Sequence, residues 1–315
     1  MAALREQDLI AGIRSRARSH SKSILTFGIG DDCAVLKPRP GQDMVVTTDL
    51  SLEKVHFRRD WHSPESVGHR CLARGLSDLA AMGARPESAF LSLALPKSLT
   101  GTWMNRFLDG LFALAEKAQV PLAGGDTSMS PTSLVIADIV LLGSVPRGRA
   151  LLRSGARPGD VIYVTGALGG SAAELLTLSR RGKPKQAHHP HLYPEPRLAA
   201  GQALVRRRLA NAAIDVSDGL STDLAHICEE SGVHAEIDAE ALPVEAGATL
   251  EQALHGGEDY ELLFTANGAV PKSLGGVAIH PIGRIKRRGK GPMVTLLRNG
   301  KREVLKAAGW EHFRS

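Results

Sequence analysis

Apolar positions recur along this chain at two spacings, and the alternation between them divides it into elements. Leu9, Ile10 and Ile13 share one face of a helix over residues 5–19. Apolar runs at residues 33–37 and 43–49 read as strands. Ser63-Pro64-Glu65 is a helix start: a capping serine, proline at the first helical position and an acid in the first turn. Gly83 is its stop. Ala89 to Leu95 reads as a strand, and Thr102 to Lys117 as a helix with Trp103, Phe107, Leu111, Leu114 and Ala115 in its stripe. Ser133 to Leu142 reads as a long strand. A hinge rich in Gly, Pro and Arg follows from Gly143 to Gly159, which sets two domains, 1–146 and 147–315. The second half opens with a strand over Asp160–Gly166 and a helix from about Ser171. Its next elements are a strand ending in Asp215-Val216-Ser217-Asp218-Gly219, a helix from Ser221 to Ser231 stopped by Gly232, and a strand after Glu258-Asp259. The alternation of strands and helices gives an α/β fold of the α+β type.

Composition narrows the function. The chain has 315 residues, 43% hydrophobic and 23% charged, which is globular. Its net charge of +6 gathers in short clusters at Arg14-Ser15-Arg16-Ala17-Arg18, Arg206-Arg207-Arg208 and Lys286-Arg287-Arg288. Aromatic residues are only 4%, too few for a base-stacking platform. The basic excess therefore reads as a solvated surface that attracts anionic substrates, with no nucleic-acid partner. Cys33, Cys71 and Cys228 are scattered, as reduced thiols of a cytoplasmic protein are. The longest apolar run, Leu134 to Val145, is broken by Asp138 and Gly143, so no membrane span is expected.

The chemistry lies in acids. Asp32, Asp49, Asp78, Asp126, Asp215 and Asp218, with Asp31, Glu258 and Asp259 near them, recur beside glycines or small polar residues at the edges of apolar elements. With no Lys or Arg adjacent in sequence, such acids repel. Two carboxylates about 4 Å apart cost roughly 4 kcal/mol at an effective dielectric of about 20. A hard, oxygen-seeking ion such as Mg²⁺ would offset that cost. Asp78 shares its helix face with Cys71, Gly75 and Met82, where an unpaired charge is expensive. It bonds either a backbone amide or an ion. No Walker loop, Gly-x-Gly-x-x-Gly or His-Arg-Asp motif is present, so phosphates would be held through metal ions, glycine amides and a few cations such as Arg153. Ser217 and Asp218 precede a helix, a natural place for phosphate oxygens. His188, His189 and His191 could ligate a metal, but the surrounding prolines favour a solvated loop.

Seven stretches together resemble the thiamine-monophosphate kinase family of the aminoimidazole ribonucleotide synthetase-like superfamily. They are Gly28-Ile29-Gly30-Asp31-Asp32, Thr47-Thr48-Asp49, Leu76-Ser77-Asp78-Leu79-Ala80-Ala81-Met82-Gly83-Ala84, Gly124-Gly125-Asp126-Thr127, Arg153-Ser154-Gly155-Ala156, Asp215-Val216-Ser217-Asp218-Gly219 and Gly256-Gly257-Glu258-Asp259-Tyr260-Glu261-Leu262. The first acids and the Ser-Asp-Leu-Ala-Ala-Met-Gly helix are shared with other ATP-dependent, purine-biosynthesis-like synthetases, which is the alternative reading.

The resemblance implies two domains of that fold with an ATP cleft between them, a homodimer formed through the N-terminal sheet, and ATP-dependent phosphorylation of thiamine monophosphate to thiamine diphosphate. It implies that Asp32, Thr47, Thr48, Asp49, Asp78, Asp126, Asp215 and Asp218 hold several Mg²⁺ ions. It implies that Gly125, Asp126, Arg153 and Ser217 meet ATP, and that His56, Glu258 and Trp310 meet the thiamine substrate. Read from the residues alone, Arg153 is also a surface residue of the hinge, Glu258 a satisfied strand-end acid and Trp310 terminal core packing. One departure is Lys54 in Glu53-Lys54-Val55-His56-Phe57, where the family usually has glycine. A phosphate monoester is largely dianionic at neutral pH, with a second pKa of about 6, so its oxygen is already a nucleophile and no dedicated general base is required.

Overall fold

The computed structural model describes residues 6–17, 23–30, 32–184, 186 and 189–313. The chain falls into two compact units, Met1–Leu79 with Arg85–Gly148, and Ala80–Ala84 with Arg149–Ser315.

In the first unit the elements run α1 (Glu6–Arg16), β1 (Leu25–Phe27), β2 (Val35–Leu36), β3 (Gln42–Leu52), α2 (Pro64–Ala81), β4 (Arg85–Leu95), α3 (Thr102–Ala118), β5 (Leu122–Met129) and β6 (Ile136–Pro146). Strands β3-β6-β4-β5 form one sheet, with β6 antiparallel to both neighbours and β4 parallel to β5. The register of β3 on β6 runs unbroken from Gln42 opposite Pro146 to Leu52 opposite Ile136. The expected hinge is corrected at its start, because β6 continues through Gly143 to Pro146. Gly143 sits between Val45 of β3 and Pro86 of β4, and pairing on both sides overrides glycine's low strand propensity.

Side chains alternate across this sheet. Ala137, Ile139 and Leu141 of β6 are fully buried. Helix α2 lies close over them, since a Cβ on Gly75 would come within 2.6 Å of the Leu141 side chain. Ser63 caps α2 as its sequence predicts, accepting from the Ser66 N–H at 3.2 Å. Helices α2 and α3 then cross backbone against backbone. A Cβ on Gly68 would stand 1.9 Å from the Phe107 carbonyl oxygen, and one on Gly110 1.9 Å from that of Glu65. The opposite face carries Val46 and Leu50, 63% and 44% exposed.

In the second unit the elements are β7 (Val161–Thr165), α4 (Gly170–Arg181), α5 (Leu198–Arg207), β8 (Ala212–Asp215), α6 (Leu220–Ser231), β9 (His234–Asp238), α7 (Leu250–His255), β10 (Leu262–Ala266), β11 (Ser273–Leu274), β12 (Val277–Lys286), β13 (Val294–Arg298) and β14 (Lys301–Val304). The sheet order is β14-β13-β9-β12-β7-β10-β8, with β11 on β12. Only β13 on β9 is parallel among the described pairs. Strand β10 is buried along its whole length, as its continuous apolar run requires. Ile162, Val164, Ile214, Leu263 and Ile237 form the core with Leu220, Leu224 and Ile227 of α6. Cys71 and Cys228 are buried, and burial pushes each thiol up to about 12, so neither is a reactive nucleophile.

Candidate active site

In the first unit the acids meet across a strand and a helix of matched period. Two residues along β3 advance about 6.6 Å, and four along α2 about 6 Å. Alternate residues of β3 therefore meet successive turns of α2. Thr47 donates its hydroxyl to Asp78. Asp49 accepts from Arg74 at 2.6 Å. Ser51 bonds the Cys71 side chain. The expectation that a metal ion alone offsets these acids, with no Lys or Arg adjacent in sequence, is corrected, because the fold brings a guanidinium to Asp49. Arg74 is distant from Asp49 in sequence but one helical turn before Asp78, so adjacency along the chain could not show it. Burial pushes the Asp49 carboxyl up to about 6; Arg74 opposes that shift, while Asp78 and Asp138 add to it. Thr47-Thr48-Asp49 also lies within β3, not at a strand end, because the strand runs on to Leu52.

Thr48 faces the other side of the sheet, with its hydroxyl 3.4 Å from Asp138. Leu50, Asp138, Ser92 and Asp126 form one cross-strand row, so Asp126 belongs to that second face. A groove of about 790 Å³ brings Asp32, Gly125 and Asp126 together, with Ile10, Ile13 and Arg14 of α1 along its rim. Gly125 is required there. Its φ is +149°, and a Cβ would stand 1.8 Å from the Leu91 carbonyl oxygen. Asp31 lies outside the described residues. His56 accepts the Leu52 N–H at Nδ1 at 3.0 Å, in a loop pinned by the buried Glu53, which pairs with Arg59 at 2.6 Å. Lys54 has φ +72°, a conformation that favours glycine and costs other residues about 1–2 kcal/mol.

In the second unit three segments are stitched together through their backbones. The Glu258 N–H donates to the Ser217 carbonyl at 2.8 Å, the Tyr260 N–H to Val216 at 2.9 Å and the Trp310 N–H to Asp218 at 2.9 Å. Ser217, Asp218, Glu258 and Trp310 are thereby gathered at the turn between β8 and α6. Trp310 is 55% exposed, which excludes the terminal-core reading. Arg153 is not part of this group. Its carbonyl accepts from Ser231 at the far end of α6, a helix of 12 residues and so about 18 Å long.

One further residue was missed by sequence reading, and one that it named was set aside. Asp223, in the first turn of α6, accepts the N–H groups of Asp218 and Gly219 at 3.2 and 3.0 Å. Burial, then the charges of Asp215 and Asp218, push its carboxyl up to about 8. An acid in the first turn after Asp-Val-Ser-Asp-Gly was the available signal. The second is His191. Its expected solvated loop is corrected, for the ring is buried, with Nδ1 2.7 Å from the Ser171 hydroxyl and 3.8 Å from a Glu258 oxygen. Leu192 is buried beside it and carries that part of the loop inward. His188 lies outside the described residues. Asp259 accepts the Gly169 and Ser171 N–H groups at 2.6 and 3.1 Å, while burial pushes it up to about 7.

The donors gathered here are carboxylate and hydroxyl oxygens, which suit a hard divalent ion. Among the described residues, no three His, Cys, Asp or Glu side chains stand where they could hold a metal by themselves. Oxygen donors of this kind fit Mg²⁺, which keeps several waters and binds through one or two carboxylates plus phosphate oxygens.

The sequence matches the AIR synthase related protein family, its N-terminal domain over residues 30–145 and its C-terminal domain over residues 157–270. It is 42% identical to the thiamine-monophosphate kinase of Salmonella typhimurium, with 98% of each chain covered. The fold is similar to that of the solved thiamine-monophosphate kinase from Stenotrophomonas maltophilia K279a, with a TM-score of 0.80, 37% identity and coverage of 97% of this chain and 98% of that one. It is also similar to AaThiL complexed with AMPPCP and TMP, with a TM-score of 0.75, 33% identity and coverage of 88% and 89%.

The raised carboxyls make stability depend on pH. Unfolded, Asp223 ionises near 3.8; folded, at about 8. Between those values the folded state holds a proton that the unfolded state has lost, so stability falls as pH rises through that window. Asp49 and Asp259 act with the same sign over narrower windows, up to about 6 and about 7. In EDTA the thermal midpoint should fall steadily from pH 5 to pH 8. Asp223→Asn, which cannot ionise, should flatten that decline, and a slope as steep as the wild type's would remove Asp223 as its source.

Proposed function

The chain belongs to the thiamine-monophosphate kinase family, built from the two AIR synthase related domains, and we propose that it transfers the γ-phosphoryl group of ATP to thiamine monophosphate. What carries this reading is that the kinship spans nearly the whole length of both chains, and so takes in the motifs of both units. A relative solved with AMPPCP, an ATP analogue, and TMP supports the same pair of substrates.

In the reaction, a terminal phosphate oxygen of thiamine monophosphate attacks the γ-phosphorus in line. The bond from that phosphorus to the β-phosphate oxygen breaks, leaving ADP and thiamine diphosphate, so that this step completes thiamine diphosphate synthesis. The attacking oxygen is already anionic, so the chain supplies position and charge and needs no dedicated base. Gly125, Asp126, Arg153 and Ser217 bind ATP. His56, Glu258 and Trp310 orient the thiamine substrate; the exposed indole offers a face to the cationic thiazolium ring. Asp32, Thr47, Thr48, Asp49, Asp78, Asp126, Asp215 and Asp218 would hold Mg²⁺, which when bound neutralises charge that keeps two polyanions apart. Asp223 donates no ligand in this scheme. It accepts the N–H groups of Asp218 and Gly219 and so fixes the turn that presents Asp215, Ser217 and Asp218.

The reading includes a homodimer. Val46 and Leu50 are exposed on an open sheet face whose other side packs on α2, and an uncovered apolar face of that kind suits a second copy. It also includes a cytoplasmic site of action. No helix among the described residues is long and apolar enough to cross a membrane.

Four outcomes test it. Purified protein with ATP, Mg²⁺ and thiamine monophosphate should form thiamine diphosphate. Asp126→Asn should lower turnover by about 100-fold or more while the protein stays folded; near-normal turnover would remove Asp126 from the machinery. Trp310→Ala should raise the KM for thiamine monophosphate by about 2–30-fold, the span of a cation–π contact, and leave that for ATP unchanged. An equal rise for both substrates contradicts the stacking role. Val46→Lys should convert a dimer to a monomer in light scattering, and a wild type that is already monomeric ends the dimer proposal.

A further inference from the structure

The ion pair between Arg74 and Asp49 has no part in the scheme above. Both side chains are largely enclosed, 15% and 18% exposed, and the guanidinium lies 2.6 Å from Asp49 Oδ1. The pair sits in the middle of the ladder between β3 and α2. Thr47 and Asp78 meet on one side of it, and Ser51 and Cys71 on the other. Asp78 lies one helical turn after Arg74 and bears on Asp49 from the same side, while the charge of Asp138 reaches Asp49 from the other face of the sheet. That charge is permanent, because a guanidinium does not lose its proton in a protein. It is also held in place: α2 is pinned over the sheet at Gly75 and against α3 at Gly68.

We infer that Arg74 is a built-in cation of the metal and phosphate site, standing where a second divalent ion would otherwise bridge Asp49 and Asp78. The inference rests on the reading that Asp49 and Asp78 hold Mg²⁺ for a bound nucleotide. Its chemistry is simple. A carboxylate has two oxygens. Arg74 occupies Oδ1 of Asp49 and leaves Oδ2 for a single ion. A divalent ion at Oδ1 would have to stand about 2.0–2.1 Å from it, inside the space that the guanidinium fills. Arg74 is therefore a positioning residue. It fixes the Asp49 carboxylate and sets how many ions the nucleotide brings with it.

The test counts ions. Mn²⁺ is titrated into protein saturated with AMPPCP, and free Mn²⁺ is read by electron paramagnetic resonance. Arg74→Gln, neutral and shorter, should bind one Mn²⁺ more per chain than the wild type, and Arg74→Lys the same number. Without nucleotide, Arg74→Gln should also be stabilised by millimolar Mg²⁺ more than the wild type is. Equal Mn²⁺ counts in wild type and Arg74→Gln overturn the inference. Should Arg74→Gln fail to fold, wild-type crystals with AMPPCP and Mn²⁺ decide. An anomalous peak bridging Asp49 and Asp78 overturns it, and a guanidinium on Asp49 with no bridging peak supports it. A wild type that binds no Mn²⁺ with AMPPCP overturns the functional reading and this inference together, whereas Mn²⁺ bound with a bridging peak overturns this inference alone.

Discussion

Like charges held close by rigid elements are the constraint on which both units depend. A carboxylate pair about 4 Å apart costs roughly 4 kcal/mol at an effective dielectric of about 20, against a total stability of about 5–15 kcal/mol for a folded domain. The chain meets that cost in three ways. In the first unit it sets a guanidinium on Asp49 and a hydroxyl on Asp78. In the second it aims backbone N–H groups at Asp223 and Asp259. Where these do not suffice, the folded state keeps a proton, and burial moves the carboxyls of Asp49, Asp223 and Asp259 upward. Each device works only because the elements that carry the acids cannot relax apart. Strand β3 is paired along its full length with β6, and α2 meets α3 at Gly68 and Gly110 with no side chain between their backbones.

Much of this was legible in the sequence, and the unreadable part has one cause. Helix α2 was readable to within two residues because its start and stop are local: Ser63, Pro64 and Gly83. The acids themselves were readable because each lies in a short motif. Their partners were not. Arg74 meets Asp49 only through the coincidence of strand and helix periods. His191 meets Ser171 across 20 residues of chain that include a proline-rich loop. The strand β5 was obscured by Gly124 and Gly125, whose lack of side chains reads as a turn but serves a close approach to β4. Local grammar marks where a chain turns; it does not record what a turn is brought against.

The scattering of the acids is itself functional in this scheme. Three carboxylates closed around one site would hold a divalent ion tightly with no nucleotide present, and the ion's charge would then be largely spent before phosphate arrived. One or two carboxylates at each place bind an ion weakly, and a polyphosphate that adds its own oxygens completes the shell. By linkage the effect is reciprocal. Whatever the nucleotide adds to metal affinity, the metal adds to nucleotide affinity. The same arrangement explains why Asp49, Asp78, Asp126 and Asp215 stand on strands and a helix, and why the turn that carries Asp218 is fixed by Asp223. An ion that binds weakly cannot also order its own ligands, so the fold must order them beforehand.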